Sequence, residues 1–199
     1  MRYTGPKRKL ERREQATLFG SDAWKKRSGL PGQHPVSRKR PSNFAIQFRE
    51  KQKVKRMYLM TEKQFRRFFA EAKKATGNTG TRFLQLLELR LDNVVYKLGF
   101  AKTRNQARQF VNHGHFQVNG EKVDIPSYIV KVGDEISMKP KFAKSEIVTL
   151  VEGELKAEKY KTPEWLSKAK TSGKVLSEPT RDQIDRSIRE QSIVELYSR

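Results

Sequence analysis

Between residues 103 and 120 the chain reads TRNQARQFVNHGHFQVNG, and the spacing of its apolar residues changes period halfway through. Ala107, Phe110 and Val111 fall at i, i+3 and i+4, the stripe of a helix; Phe116 and Val118 then alternate with polar neighbours, the period of a strand. A short helix that runs within a few residues into a hairpin needs helix and sheet to share one core, so the fold class is α+β. The punctuation agrees. Thr103 and Gln106 form a capping-box pattern at the helix start, and Gly114 sits where the helix stops and the chain reverses. Asn119-Gly120 supplies the positive φ angles of a two-residue turn, which returns Val123 opposite Phe116. Further strands are expected at 128–132 and 135–138, joined at Gly133-Asp134.

Upstream the pattern is helical. From Ser42, SNFAIQFREKQKVKRMYLM places Phe44 and Phe48 one turn apart, then carries Arg49, Lys51, Lys53, Lys55 and Arg56. Thr61 and Gln64 make another capping box ahead of Phe65, Phe68, Phe69 and Ala72, whose spacing is that of a core-facing stripe, not a base-stacking platform. After a turn at 75–81, Leu84, Leu87, Leu91, Val94, Val95 and Leu98 share a face over 82–98, with a break expected near Arg90 and Asp92. Residues 139–179 are mixed and charged, anchored by Trp165-Leu166 and Val175-Leu176. The closing stretch carries Ile184, Ile188, Ile193, Val194 and Leu196, apolar enough to dock on the first helices.

Charge then narrows the partner. The net charge of +21, from 43 Lys and Arg against 22 Asp and Glu, makes a compact chain repel itself unless a polyanion takes up the excess. Nucleic acid is the leading candidate and an anionic membrane surface the second. Residues 1–56 hold 17 basic and 4 acidic side chains, so 13 of the 21 net charges sit in about a quarter of the chain. The first 43 residues mix Lys/Arg clusters with Pro and Gly and show little periodicity, which predicts a basic extended arm that orders on its partner. An arm at 1–43 is therefore expected ahead of the helical segments.

Catalytic classes find no support. There is no cysteine, hence no disulfide or thiolate metal site, which fits a reducing compartment. No apolar run approaches the roughly 20 residues that span a bilayer, and MRYTGPKRKLERRE lacks the apolar region of a signal peptide. The histidines are His34, His113 and His115; the last two flank a glycine without a third ligand at suitable spacing. Glu88 and Asp92 are four apart, but helix-end contacts and a salt bridge to Arg90 on a wet surface account for them better than an acid–base pair. Neither a metal, a cofactor nor a small-molecule substrate is expected. What remains is electrostatic: Arg104 and Arg108 project from one helical face, and a rigid frame holding such forks can match fixed phosphates or stack on an unpaired base of folded RNA.

The stretch RLDNVVYKLGFAKTRNQARQFVNHGHFQVNGEKVDIPSY resembles the RNA-binding module named after small-subunit ribosomal protein four, which also occurs in pseudouridine synthases, tyrosyl-tRNA synthetases and a heat-shock RNA-binding protein. PGQHP, QFREKQKVKRMY, TEKQFRRFF, GNTG and the terminal IVELYSR extend the likeness, in order, to the bacterial-type ribosomal family itself. A synthase domain would need on the order of 200 further residues, and a free-standing stress factor would not explain 1–88. The resemblance implies, after the arm at 1–43, a helical domain at 44–89 completed by 180–199, with an RNA-binding module and its small sheet inserted at 90–179. It implies direct binding to small-subunit rRNA at a five-prime-domain junction and nucleation of subunit assembly. It also implies an interface with small-subunit protein five linked to decoding accuracy, neighbouring ribosomal proteins, a place near the path by which mRNA enters, and a cytoplasmic ribosome, bacterial or organellar. Carried over by position, it implies rRNA contacts at Lys7, Arg8, Lys9, Arg12, Arg13, Arg49, Lys51, Gln52, Lys53, Arg56, Arg90, Arg104, Gln106, Arg108, Gln109, His113, His115 and Asn119. Asp92, Thr103, Ala107, Gly114, Val118 and Gly120 match its structural positions. Many relatives carry a zinc-binding cysteine cluster in the arm; here Arg8 stands where a cysteine is expected, so no zinc is predicted.

Overall fold

The structure is a computed structural model that describes residues 3–20, 22–27, 29–33, 40–158 and 160–198. It divides into two compact units, Met1–Phe83 with Asp185–Arg199, and Leu84–Ile184. The divisions fall inside a helix at Phe83/Leu84 and after Ile184, against the expected 89/90 and 179/180.

The first unit contains α1 (Lys7–Glu14), α2 (Asn43–Met57), α3 (Glu62–Lys74), the start of α4 (Thr79–Glu88) and α9 (Glu190–Tyr197). Ser42 caps α2 by accepting from the Ala45 N–H, and the Thr61–Gln64 capping box forms with both of its bonds. The aromatic stripe is buried: Phe65 and Phe69 meet the Phe83 ring edge-on, at centroid distances of 4.9 and 5.6 Å. α9 packs on α2 with Ile193 inward, and Tyr197 stacks on Phe69 at 4.6 Å. The C-terminal residues thus complete this unit, as their apolar content predicts.

Where an extended arm is expected, Lys7–Glu14 is helical and folded against its surroundings. Polar side chains replace the missing apolar period. The buried Glu11 carboxylate accepts the N–H groups of Leu18 and Phe19 at 3.1 and 3.0 Å, and the Arg12 fork closes on the Gly29 carbonyl at 2.9 and 2.7 Å. Leu18 is buried, and Glu14 is held by Arg49 and Arg56 of α2. His34, Arg38 and Lys39 lie outside the described residues.

In the second unit α4 ends at Glu88 and α5 (Leu91–Lys97) begins after the break expected at Arg90. α6 (Arg104–Asn112) follows, then β1 (Phe116–Val118) and β2 (Glu121–Lys122), paired in the predicted two-residue hairpin with Asn119 at φ 51° and Gly120 at φ 85°. β3 (Glu135–Met138) pairs with β1. The stretch 128–132, expected as a strand, makes only a bridge between Ile129 and Arg90, because its N–H and C=O groups bond the chain between α4 and α5. Residues 139–179 hold more than apolar anchors: α7 (Pro140–Ala143), α8 (Glu146–Ala157), β4 (Leu166–Lys168) and β5 (Ser172–Val175). The antiparallel sheet runs β2-β1-β3-β5-β4. Gly173 faces Ile136 across β3 and β5, where a Cβ would lie 2.5 Å from Leu98 Cδ2, so glycine lets β5 approach the core. Trp165, Phe116, Ile136, Val94, Leu98 and Val111 share that core.

Candidate nucleic-acid interface

α6 is placed by its cap and its buried stripe. Thr103 Oγ1 accepts from the Gln106 N–H at 3.2 Å; the Gln106 side chain reaches one residue further than a capping box, to the Lys102 N–H at 2.8 Å. Ala107, Phe110 and Val111 are buried, as is Val118 on the adjoining strand. This orientation puts Arg104 and Arg108 on the side that faces α5.

Two polar chains lead from the interior to these arginines. In the first, the Arg90 guanidinium forks onto Asp92 at 3.0 and 2.7 Å, and Asp92 also accepts from Arg108 at 3.3 Å. In the second, Asn93 Nδ2 donates to the Glu88 carboxylate at 2.7 Å, and Asn93 Oδ1 accepts from Arg104 Nε at 2.9 Å. The Arg104 guanidinium also lies over the Tyr96 ring, 4.7 Å from its centroid. Burial pulls the Arg108 pKa below its ordinary value, with Asp92 opposing and Arg90 adding to the effect.

Several sequence expectations change here. Arg90 is 0% exposed and serves as the buried counterion of Asp92, so it is withdrawn as an rRNA contact. Glu88 and Asp92, expected on a wet surface, are 1% and 5% exposed, because the kink between α4 and α5 turns both inward. Gln109 and His113 are exposed at the end of α6. His115 stacks flat on Phe142 at 4.1 Å, and burial, with His113 and Lys139 adding, lowers its pKa. Asn119 latches the hairpin, donating to Asp134 and accepting from the Glu135 N–H. Lys122 covers the Gly114 turn, where a Cβ would lie 2.5 Å from its Cε. Its place in the hairpin register could have flagged it; Asn93 and Tyr96, neutral side chains on α5, gave no such signal.

In the first unit the basic run of α2 is largely turned to internal use. Lys51 and Lys55 both bind Glu62, at 2.7 and 2.8 Å, and Lys53 meets Glu50 and the Ser187 carbonyl. Lys51 and Gln52 are buried and are withdrawn as rRNA contacts for that reason. Arg49 and Arg56 grip Glu14, and Arg49 also lies 4.9 Å over the Phe48 ring. On α1, Lys7, Arg8, Lys9 and Arg13 are exposed, whereas Arg12 is tied to backbone carbonyls. Among the described residues no cluster of three or more His, Asp and Glu is placed to hold a metal ion, and no helix is long and apolar enough to cross a membrane.

Glu62 carries a pH prediction. Its burial alone would raise the carboxyl, but Lys51 and Lys55 outweigh that and hold it down to about 2. Tyr197, pushed up by burial and by Glu62, remains a donor to it at 3.1 Å. A depressed carboxyl contributes stability above its unfolded value of about 4.5, and loses it as pH falls towards 2. The protection of the α9 amides, taken as the exchange rate relative to that of the unstructured chain at the same pH, is expected to hold from pH 7 to 5 and to fall below 4.5, with the step missing in Glu62→Gln. A fall already above pH 5, or an unchanged step in the variant, would assign the release to another group.

Residues 89–136 match the family model of the S4 domain, and residues 2–88 match that of the ribosomal protein S4/S9 N-terminal domain. The small ribosomal subunit protein uS4 of Opitutus terrae is 50% identical over 204 residues, covering 100% of this chain and 98% of that one. Those of Herpetosiphon aurantiacus and Delftia acidovorans are 47% and 49% identical, each covering 100% of this chain and 99% of its own. The chain belongs to the uS4 family. The S4 domain match spans α5, α6 and the β1–β2 hairpin, the elements that hold Asn93, Arg104 and Arg108 together. As a uS4 chain it combines that domain with the helical unit whose basic α2 is cross-braced by Glu14, Glu50 and Glu62.

Proposed function

We propose that this uS4-family chain is a structural, non-enzymatic component of the small ribosomal subunit that binds small-subunit rRNA directly. The observation that carries the reading is the pair Arg104 and Arg108 on α6, each held from behind by α5 and followed by the exposed Gln109 and His113. Fixed guanidinium forks suit irregular but rigid phosphates, and little side-chain freedom is lost when they bind. The exposed cations of α1, Lys7, Arg8, Lys9 and Arg13, are a second basic region that this reading assigns to rRNA, with Arg49 and Arg56, which grip Glu14, beside them on α2. The family resemblance adds Gln106, His115 and Asn119 to the proposed contacts.

The finer reading rests on the family resemblance. It places the chain at a five-prime-domain junction as an early nucleator of assembly, beside small-subunit protein five, where decoding accuracy is set, and near the path by which mRNA enters. Its compartment is the one that holds these ribosomes, the bacterial cytoplasm in this reading. Native sedimentation tests the core claim: co-migration with the small subunit at moderate salt is the expected result, and a wholly free pool overturns it.

A sharper test is Arg104→Ala with Arg108→Ala. The fold is expected to persist, because Asp92 keeps its fork to Arg90. The rRNA affinity should fall, and the slope of log affinity against log salt should flatten by about 1.5, the share of two phosphate contacts. An unchanged slope would show that neither side chain meets phosphate.

A further inference from the structure

We infer that Asn93 is a positioning residue for rRNA recognition, setting the plane of the Arg104 guanidinium from inside the protein. The inference rests on the rRNA-binding reading of α6 and adds a residue that carries no charge and is 2% exposed.

The geometry fixes which way the Asn93 amide points. Its Nδ2 group donates to the Glu88 carbonyl at 3.0 Å and to the Glu88 carboxylate at 2.7 Å. A rotated amide would set Oδ1 against both oxygens, so only one orientation satisfies the buried group. That orientation aims Oδ1 at Arg104 Nε, 2.9 Å away. Because Nε lies in the guanidinium plane, a bond to it restrains the whole fork, which a bond to a lysine ammonium could not do. Tyr96, one turn further along α5, supports the cation from its ring face at 4.7 Å. Two positions of one helix therefore hold one side chain by edge and by face. The restraint is built on a buried base, since Glu88 is itself 1% exposed and its carboxylate is engaged by Asn93. Aspartate at 93 would set a second carboxylate against Glu88, and alanine would leave the fork without its inner stop.

A double-mutant cycle on the full chain, titrated with its small-subunit transcript, tests this. Asn93→Ala is expected to weaken binding by about 2- to 10-fold, the range for ordering one long side chain, with an unchanged salt slope because no phosphate contact is removed. In an Arg104→Lys background, which keeps the charge and lacks Nε, Asn93→Ala should have no further effect. An equal loss in both backgrounds, or none in either, overturns the inference. Arg104→Ala without effect on affinity would instead sink the underlying rRNA reading, so the two failures are distinct. If Asn93→Ala melts early, exchange of the Arg104 Nε proton in the free protein decides. Slow exchange in the parent and in Asn93→Ser, whose hydroxyl can still accept, supports the role; fast exchange in the parent overturns it.

Discussion

Replacing Asp92 with alanine is expected to cost roughly 3–5 kcal/mol of stability, the toll of breaking a buried ion pair from one side. Arg90 is fully buried, and the Asp92 carboxylate receives two of its N–H groups in a planar fork. Alanine leaves that cation in the interior without its counterion, beside Arg108, which also bonds Asp92. The bridge between Arg90 and Ile129 and the bonds from Leu91 and Asp92 N–H to the Tyr128 and Pro126 carbonyls hang on the same kink, so the loss should spread through the Leu84–Ile184 unit. Denaturant titration of the full chain, followed through Trp165, reads it. Replacing both partners, Arg90→Met with Asp92→Leu, should cost less than Asp92→Ala alone, because the fully buried cation goes with its counterion and Arg108, which loses the same carboxylate, is partly exposed to solvent. A single-variant loss below about 1 kcal/mol would place the pair in the class of solvated surface bridges.

Phe65→Ala is expected to be the costliest change in the other unit, at about 3–5 kcal/mol. The ring is 0% exposed, meets Phe83 edge-on at 4.9 Å and lies 6.3 Å from Tyr197, so its loss opens a cavity beneath both α4 and α9. Edge-to-face contact adds about 0.5–1.5 kcal/mol to the area term. Phe65→Leu, which keeps part of the volume, should lose markedly less. A lower denaturation midpoint at unchanged m is the expected signature. Near-wild-type stability would mean that α9 and α4 collapse into the gap.

The elements that were legible are those whose signal is local. The α3 stripe with its Thr61–Gln64 box and the Asn119-Gly120 hairpin depend on residues within a few positions of one another and form as their spacing predicts, while at α6 the Thr103 half of the expected box forms and Gln106 turns to the Lys102 N–H instead. The strands β4 and β5 were not legible. LSK and SGKV carry little strand pattern, and they pair because β3 offers an edge beside a Leu98 that only Gly173 can approach. α8 shows the same limit: Val148, Val151 and Leu155 make a narrow buried stripe, while Ile147 and Leu150 stay exposed and blur the period. For the candidate interface, residue type nominated Arg104 and Arg108 together with Arg90, Lys51 and Gln52, and could not tell the buried members of that set from the rest.

By itself the sequence determined the class of the fold, the run of capped helices into a hairpin, and the excess of cations that calls for a polyanion. Which of those cations face outward was set by contacts between segments far apart in the chain. Glu14 meets Arg49 and Arg56 across 35 and 42 positions, and Asp92 meets Arg108 across 16. A charge has no face until the chain brings its counter-charge to it, and that meeting depends on packing between distant segments, which no local spacing encodes.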